Sequence, residues 1–525
     1  MTSKTTNRQP ETPIAVIDIG TTFIRMLIAE RRGRRGITVL EMAIQSVAIG
    51  QDIVASRRIA NTTVARCVEI LDDFRRLLRE YGIAASDVTA VASASLRLAD
   101  NGEVFLDRLT NTSSLDFHLL DTGQTGFYYH LAFRAINDRR NNWEQGEVAV
   151  IDVGGLTCSL LCRKDGEIRY VQTFGVGSLQ LRHQMEEAAL RPQQLEALTE
   201  GRTREIAEQI RKNTDSPKTG KLLLMGREMR FAASLLRPRK RLRDTAAPVV
   251  TRLGVAELGK LLRRLETTAV EEMVRLWQIS YPDAEMLVPS LHIVLSVAAA
   301  LGLSTLHVSG VSFSHGLIEE ALDGDTTWTT AMRKHVLRVA RETGDKYQYD
   351  ASHAGQVTRV ALDLFDRLQA EHGCGARHRL MLEVAALLHD IGVFISVHAH
   401  HKHTMYLVRH TEFAGLSSRE IELIAVICRY HRRAIPKASH PEYLALREDE
   451  RLLVAKLAAI LRVADALDRV HDQRLGRIAF EPQADMLVCV PSRQVATSAE
   501  EVALSEKGEL FELMFGRRCV IRNPG

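Results

Sequence analysis

Histidine and aspartate crowd one stretch of this chain. Six of the 19 histidines fall between positions 389 and 410. At helical spacing His353 shares a face with Val357, Val360 and Leu364. His389 sits over Ala385 and Leu382, and Asp465 lies with Leu461, Ala458 and Val454. A buried carboxylate without a partner costs several kcal/mol, so Asp465 needs compensation, and a metal ion is an economical one. His403 begins a helix through Met405, Tyr406, Leu407 and Val408; His431 ends a helix that Ser417 and Glu420 cap as S-x-x-E. The set His353, His389, Asp390, His403, His431 and Asp465 mixes imidazole and carboxylate, donors that suit Fe, Mn or Zn. Adjacent residues diverge by ~100° on a helix, so Asp390 can bridge two ions while His389 binds one of them. A metal-bound hydroxide there would attack a phosphoester or phosphoanhydride, with His389 and Asp390 as the catalytic pair. His471-Asp472 repeats the dipeptide and reads as a surface pair.

A second pattern is written twice. Val16-Ile17-Asp18-Ile19-Gly20-Thr21-Thr22 is echoed by Val150-Ile151-Asp152-Val153-Gly154-Gly155-Leu156-Thr157. Each follows an apolar run and precedes another, which gives strand, acidic-Gly turn, strand. The Asp of each turn can hold a metal-bound water, and Gly20, Thr21, Gly154 and Gly155 let backbone N–H groups approach phosphate oxygens. Two such turns facing across a cleft would grip a polyphosphorylated ligand. An Asx-turn capping a tight bend is the alternative role for Asp18 and Asp152.

These residues need a scaffold of several domains. The 525 residues suggest three or four, and 45% hydrophobic with 26% charged is ordinary globular composition. A net charge of +4 is too mild to argue for specific nucleic-acid binding. Basic runs at 31–35 and 237–243 are either solvated loops or steering patches for a polyanion. No uninterrupted apolar run nears the ~20 residues of a membrane span. The polar start has no apolar leader, and seven cysteines without CxxC spacing fit free thiols in a reducing cytoplasm. Cys158 and Cys162 read as core residues. The expected layout is a disordered tail at 1–13, an α/β lobe at 14–136, a second at 147–324, a helical domain at 325–474, and a small α/β subdomain at 475–525. Thr62 to Tyr81 reads as a helix closed by Gly82, and Gly316 as the opening of a helix to Leu322.

At this point the chain resembles the Ppx/GppA family of exopolyphosphatases and guanosine pentaphosphate phosphohydrolases, in the long form that carries an HD-type domain. Asp18 to Arg25 is similar to D-[IL]-G-S-N-S-x-[RH], Ser93 to Arg97 to T-[SQ]-A-x-R, and Asp152 to Gly155 to the start of D-I-G-G-G-S-T-E. Val308-Ser309-Gly310 and Gly316-Leu317 look like the family's closing S-G…G-L. Around His353, Leu387 to Gly392, His400 to His403, Arg429 to Arg432 and Leu461 to Asp468 the chain reads like HD segments, and the order H…HD…H…H…D looks like binuclear HD phosphohydrolases. The resemblance implies an acetate/hexokinase/actin-type (ribonuclease H-like) fold for both lobes and Mg²⁺-dependent hydrolysis of a terminal phosphoanhydride of polyphosphate or pppGpp. It adds Gly310 to the phosphate cleft and makes Arg97 a phosphate clamp, with a surface helix-start role as the alternative. A homodimer is a further expectation.

The departures from the family pattern gather in the lobes. Gly123-Gln124-Thr125-Gly126 stands where the family has G-x-E-E, so the glutamate base is missing. Thr22, Leu156 and Ser159 replace an Asn, a Gly and a Glu, and Met225-Gly226-Arg227-Glu228 replaces a Gly-Thr loop. Leu156 is expected to intrude where phosphate should meet bare backbone, and Asp121 is the nearest substitute base. The expectation is therefore a degenerate cleft beside an intact HD metal site that carries the hydrolase activity. The rivals are catalysis in the cleft and a non-catalytic polyphosphate or (p)ppGpp sensor.

Overall fold

The computed structural model describes residues 13–524 except 33–35, 137–142, 144, 188–191, 215–220, 239–248, 324–325, 412, 414 and 433. The tail at 1–12, the centres of both basic runs and the polar stretch at 139–142 lie outside the described residues. The chain divides into two compact units, 1–332 and 333–525.

The first unit holds two sheets. One contains β1 (Ile14–Ile19), β2 (Phe23–Arg32), β3 (Gly36–Ser46), β4 (Val88–Ala92) and β5 (Phe117–Leu119), in the order β3-β2-β1-β4-β5. The other contains β6 (Glu147–Val153), β7 (Cys158–Lys164), β8 (Glu167–Phe174), β9 (Lys221–Met225), β10 (Val250–Gly254) and β11 (Thr305–Ser309), in the order β10-β11-β9-β6-β7-β8. In each sheet an antiparallel hairpin leads into a parallel neighbour: β1 pairs with β2 and then β4, β6 with β7 and then β9. The register sets Asp18 opposite Arg25 and Asp152 opposite Ser159. β1 is apolar on both faces and almost wholly buried, as a strand covered by helices must be.

Helices close these sheets. Asn61–Glu80 ends at Gly82, whose φ of +69° suits glycine. Tyr281–Ala300 is long and apolar enough to cross a membrane by length and composition, with a mean hydropathy of 1.3, but its Leu287, Leu291, Val294 and Val297 lie in the second lobe's core. A search for unbroken apolar runs passes over it because Asp283, Glu285, Ser290 and His292 interrupt the run. Helix Phe313–Asp323 starts before Gly316. Gly316 lies where this helix crosses Thr122–Arg134, and a Cβ there would stand 2.0 Å from the Tyr128 carbonyl oxygen.

The second unit is built on helices Ala351–Arg367, Ala376–Leu388, His400–Arg409, Ser418–Arg429 and Glu448–Ala466. Asp350 caps the first by accepting from the Ser352 and His353 amides, and the Ser417/Glu420 capping box opens the fourth. A three-stranded sheet follows, β12 (Ile478–Pro482), β13 (Met486–Pro491) and β14 (Arg518–Ile521), with helices Ser498–Lys507 and Glu509–Phe515. All seven cysteines are free and buried, Cys158 and Cys162 within the second lobe's core.

The helix crossing at Gly316 gives a direct test. Gly316→Ala should destabilise the protein by roughly 1–3 kcal/mol, because the added methyl meets backbone that cannot yield. Urea denaturation followed by circular dichroism measures the loss.

Candidate functional site

The two acidic-Gly turns meet in the first unit. Gly20 and Gly154 close the hairpins by donating to the carbonyls of Phe23 and Thr157, at 2.9 and 2.8 Å. A Cβ on Gly155 would stand 2.8 Å from Thr22 Oγ1 and 3.0 Å from Thr21 Oγ1, and Ser95 Oγ lies 3.0 Å from Thr157 Oγ1. Between the turns is a cavity of about 130 Å³, lined by Asp18, Gly20, Thr21, Asp152, Gly154 and Gly155 together with residues from five further segments. Asp18 accepts from Ser314 Oγ at 2.7 Å and faces Arg25 Nε at 3.7 Å. Asp152 accepts from Tyr129 Oη at 2.6 Å. Burial depresses the Arg25 guanidinium, but Asp18 and Asp152 more than offset this and hold it above its usual value. Arg230 also lines the cavity, and its Nη1 is buried without a hydrogen-bond partner among the described residues. The guanidinium groups of Arg25 and Arg230 are the donors here that can hold phosphate oxygens.

Several expected features fall elsewhere. Arg97 is exposed, turns to the Leu119 and Leu120 carbonyls at 3.4 and 3.5 Å, and does not line the cavity. The short 3₁₀ turn Ala94–Leu98 sends Arg97 outward and Ser95 inward. The Gly310 amide donates to Val249 O at 2.8 Å, and Ser312 and Phe313 line the cavity in its place. Leu156 does not intrude: it is buried in the first lobe's core with Leu96, Leu179 and Met286. Asp121 caps helix Thr122–Arg134, accepting from the Gln124 amide at 2.8 Å, so its carboxylate is committed to the helix end. Thr125 does line the cavity, but a Cβ on Gly126 would stand 2.1 Å from Val171 Cγ1.

The carboxylate that sequence reasoning passed over is Glu228. It stands in the first turn of helix Arg227–Leu236 and lines the cavity. Gly226 before it has φ +112°, and a Cβ there would lie 2.8 Å from Asp152 Oδ1. Burial, then Asp152 and Asp283, push the Glu228 carboxyl up to about 7, against its own backbone hydrogen bond and Arg25. A carboxylate with that proton affinity can take a proton from water near neutral pH. Its neighbour Arg227 is held by Asp283 in a two-pronged pair at 2.6 and 2.9 Å.

The second constellation lies in the helical unit. His353, His389 and Asp465 place ligating atoms within 4.8 Å of one another, as do Asp390, His400 and His431, and also His353, Asp390 and His471. His403 is in none of these groups. Helix His400–Arg409 begins at His400, and its buried face runs His400, Thr404, Leu407, Val408, so His400 turns inward. His389, His400 and His431 each donate Nδ1–H to a backbone carbonyl: Ala386 at 2.8 Å, Val397 at 3.1 Å and Cys428 at 2.6 Å. Their Nε2 lone pairs are left facing Asp390, at 3.6, 3.2 and 3.3 Å. His353 Nδ1 is held by Asp468 Oδ2 at 2.9 Å, and His471 stacks on the His353 ring with centroids 3.5 Å apart. His471 and Asp472 are both exposed, as a surface pair is expected to be; the His471 ring covers the outer face of His353, and Asp472 pairs with Arg474.

The electrostatics favour cation binding. Burial keeps His389 neutral by pushing it down to about 4. Asp465 is held low by Lys507 and His353 against its own burial. Imidazoles oriented by outer hydrogen bonds, with Nε2 atoms converging on a carboxylate, form the arrangement in which histidine binds metal, and these residues fit such an ion. The first unit offers no group of three ligating side chains among the described residues. A magnesium ion in the cleft would thus be held through water and the substrate's phosphates, the habit of that cation.

A two-lobed unit with paired acidic-Gly hairpins is an actin-like fold. An exopolyphosphatase from Cytophaga hutchinsonii has the same fold, with a TM-score of 0.52 at 18% identity over 59% of this chain and 98% of that one. The model of the Ppx/GppA phosphatase family matches residues 27–324, and that of Ppx/GppA phosphatase, domain III, matches 337–515; the chain belongs to this family. Among its relatives are guanosine-5'-triphosphate,3'-diphosphate pyrophosphatases of Photobacterium profundum, 22% identical over 89% of each chain, and of Aeromonas hydrophila, 23% identical over 90% of this chain and 91% of the other.

Two expectations follow for the cleft. Glu228 binds its proton more tightly folded than unfolded, so its favourable contribution is complete below about pH 4.5 and is lost as pH rises through about 7. Glu228→Gln should gain on wild type by roughly 2–3 kcal/mol between pH 5 and pH 8, read from urea denaturation at both values. Restoring the family glutamates should divide: Thr125→Glu folds, whereas Gly126→Glu overpacks against Val171 and loses its cooperative thermal transition or most of its Tm.

Proposed function

We propose that this protein hydrolyses phosphoanhydrides, with polyphosphate or a pppGpp-like nucleotide as substrate, and that the histidine–aspartate centre of its helical unit is the working site. The reading rests on one observation: three buried imidazoles, each oriented by an outer carbonyl, turn Nε2 toward Asp390. The ligand order is that of HD-type phosphohydrolases. A bound Fe, Mn or Zn ion would lower the pKa of its water and polarise a phosphoryl oxygen. Asp390, with 26% of its side chain accessible, marks the side from which substrate arrives. The substrate class follows the relatives, guanosine-5'-triphosphate,3'-diphosphate pyrophosphatases and an exopolyphosphatase. In this reading the cleft of the first unit binds polyanion through Arg25, Arg230 and the two turns.

Glu228 favours a second reading, in which the family's chemistry stays in the cleft and this carboxyl receives the proton of the attacking water. The two make opposite demands on one experiment. Phosphate release from polyphosphate and from pppGpp is measured for wild type, Asp390→Ala, Asp18→Ala and Glu228→Gln, with circular dichroism as the folding control. If the helical centre works, wild type purified without chelator carries Fe, Mn or Zn, and Asp390→Ala loses metal and turnover together. Asp18→Ala then weakens polyanion binding and leaves the chemical step intact. Loss of turnover in Asp18→Ala and Glu228→Gln, with Asp390→Ala fully active, transfers catalysis to the cleft. A metal-free wild type whose stability is indifferent to added metal removes the helical centre from consideration.

A further inference from the structure

Lys507 belongs to the last helix but one, yet its ammonium lies inside the histidine–aspartate centre. It is buried and bonded to Asp465 Oδ2. Its backbone is also fixed: the Lys507 carbonyl accepts from Arg462 Nε at 2.9 Å. Arg462 is fully buried on the same helix as Asp465 and donates through Nη1 to Tyr430 O and Ala434 O, at 3.2 and 3.3 Å. The lysine is thus tied at both ends to the helix whose carboxylate it neutralises. The other Asp465 oxygen faces His353 Nε2 at 3.7 Å, and His353 is held from behind by Asp468. This half of the centre already contains a cation.

The other half does not. Asp390 Oδ1 stands 3.2 Å from His400 Nε2 and 3.3 Å from His431 Nε2, and those two nitrogens are 3.2 Å apart. Both imidazoles donate their Nδ1–H outward to carbonyls, which sets a lone pair on each Nε2. Two lone pairs and a carboxylate oxygen at this spacing have an unmet need for a cation. Three protein ligands leave positions open for water and substrate, as catalytic sites do. A divalent ion on Asp465 would share its carboxylate with a fixed ammonium, and like charges at such separation in a buried site repel strongly.

We infer that the centre holds a single metal ion, bound by Asp390, His400 and His431, and that Lys507 permanently fills the second cation position at Asp465. The inference rests on the metal-centre reading above and departs from the binuclear arrangement that the ligand order suggests. Lys507 is a positioning residue in this scheme. It sets the charge and the location of the ion and touches neither metal nor substrate.

The test counts metal. Full-length protein is equilibrated with excess Mn²⁺, freed of unbound ion by gel filtration, and measured by inductively coupled plasma mass spectrometry. The variants are His431→Ala, His353→Ala and Lys507→Met. Wild type should retain one ion per chain, His431→Ala none, His353→Ala one, and Lys507→Met two. Two ions in wild type would overturn the inference and leave the metal centre standing. So would loss of the ion in His353→Ala with retention in His431→Ala, or a folded Lys507→Met that still holds one. A wild type without any ion overturns the metal-centre reading itself and this inference with it. Should Lys507→Met fail to fold, wild type and the two histidine variants decide the question.

Discussion

A carboxylate taken out of water must be answered by positive charge or by hydrogen-bond donors at the place where it stands. Both candidate sites are organised around this constraint. In the first unit Asp18 and Asp152 are answered by Ser314, Arg25 and Tyr129. In the second, Asp465 is answered by Lys507, whereas Asp390 is answered by the solvent it still reaches and has imidazole lone pairs turned toward it. The difference matters for chemistry. A carboxylate whose partners are all fixed protein groups is a wall, whereas one whose partners leave lone pairs facing it is an invitation to a cation. On that ground Asp390 is, of the four, the carboxylate open to a cation.

The parts legible in the sequence are those that local rules determine. The two hairpins were legible because apolar runs on either side of an acidic-Gly turn occupy neighbouring residues, and β1–β2 and β6–β7 form there. His353, His389, His431 and Asp465 were legible because helical spacing puts each on an apolar face, and each is buried. The misses come from side-chain direction and from long-range packing. Leu156 occupies the phosphate-turn position, but its side chain enters the first lobe's core. A helix starting at His403 favours that residue, but the helix starts one turn earlier, and the apolar period His400, Thr404, Leu407 turns His400 inward. Glu228 and Lys507 carried no local signal. Glu228 becomes unusual only when Asp152 and Asp283 are folded against it, and Lys507 is 42 residues from the aspartate it meets.

The cleft keeps the family's fold while its residues depart from the family's sequence pattern. Gly126 packs its helix against β8 so closely that no side chain fits, so the absence of a glutamate there is built into the packing and is more than one exchanged residue. Arg227 and Glu228 occupy the helix start where resemblance led one to expect a bare phosphate loop, and Arg227 is locked to Asp283. The turn thereby gains a charge pair at a helix N-terminus, a place that otherwise favours anions.

The buried cysteines have a practical consequence. Burial pushes the thiols of Cys67 and Cys162 in the first unit, and of Cys489 in the second, up to about 12, and raises the other four as well. A thiol reacts as its thiolate, so none of the seven is available to an alkylating reagent until the chain around it opens. Three belong to the first unit and four to the second. Alkylation resolved by peptide mass therefore works as two internal clocks, one for the opening of each unit, and a ligand that tightens only one of them reveals in which unit it is bound.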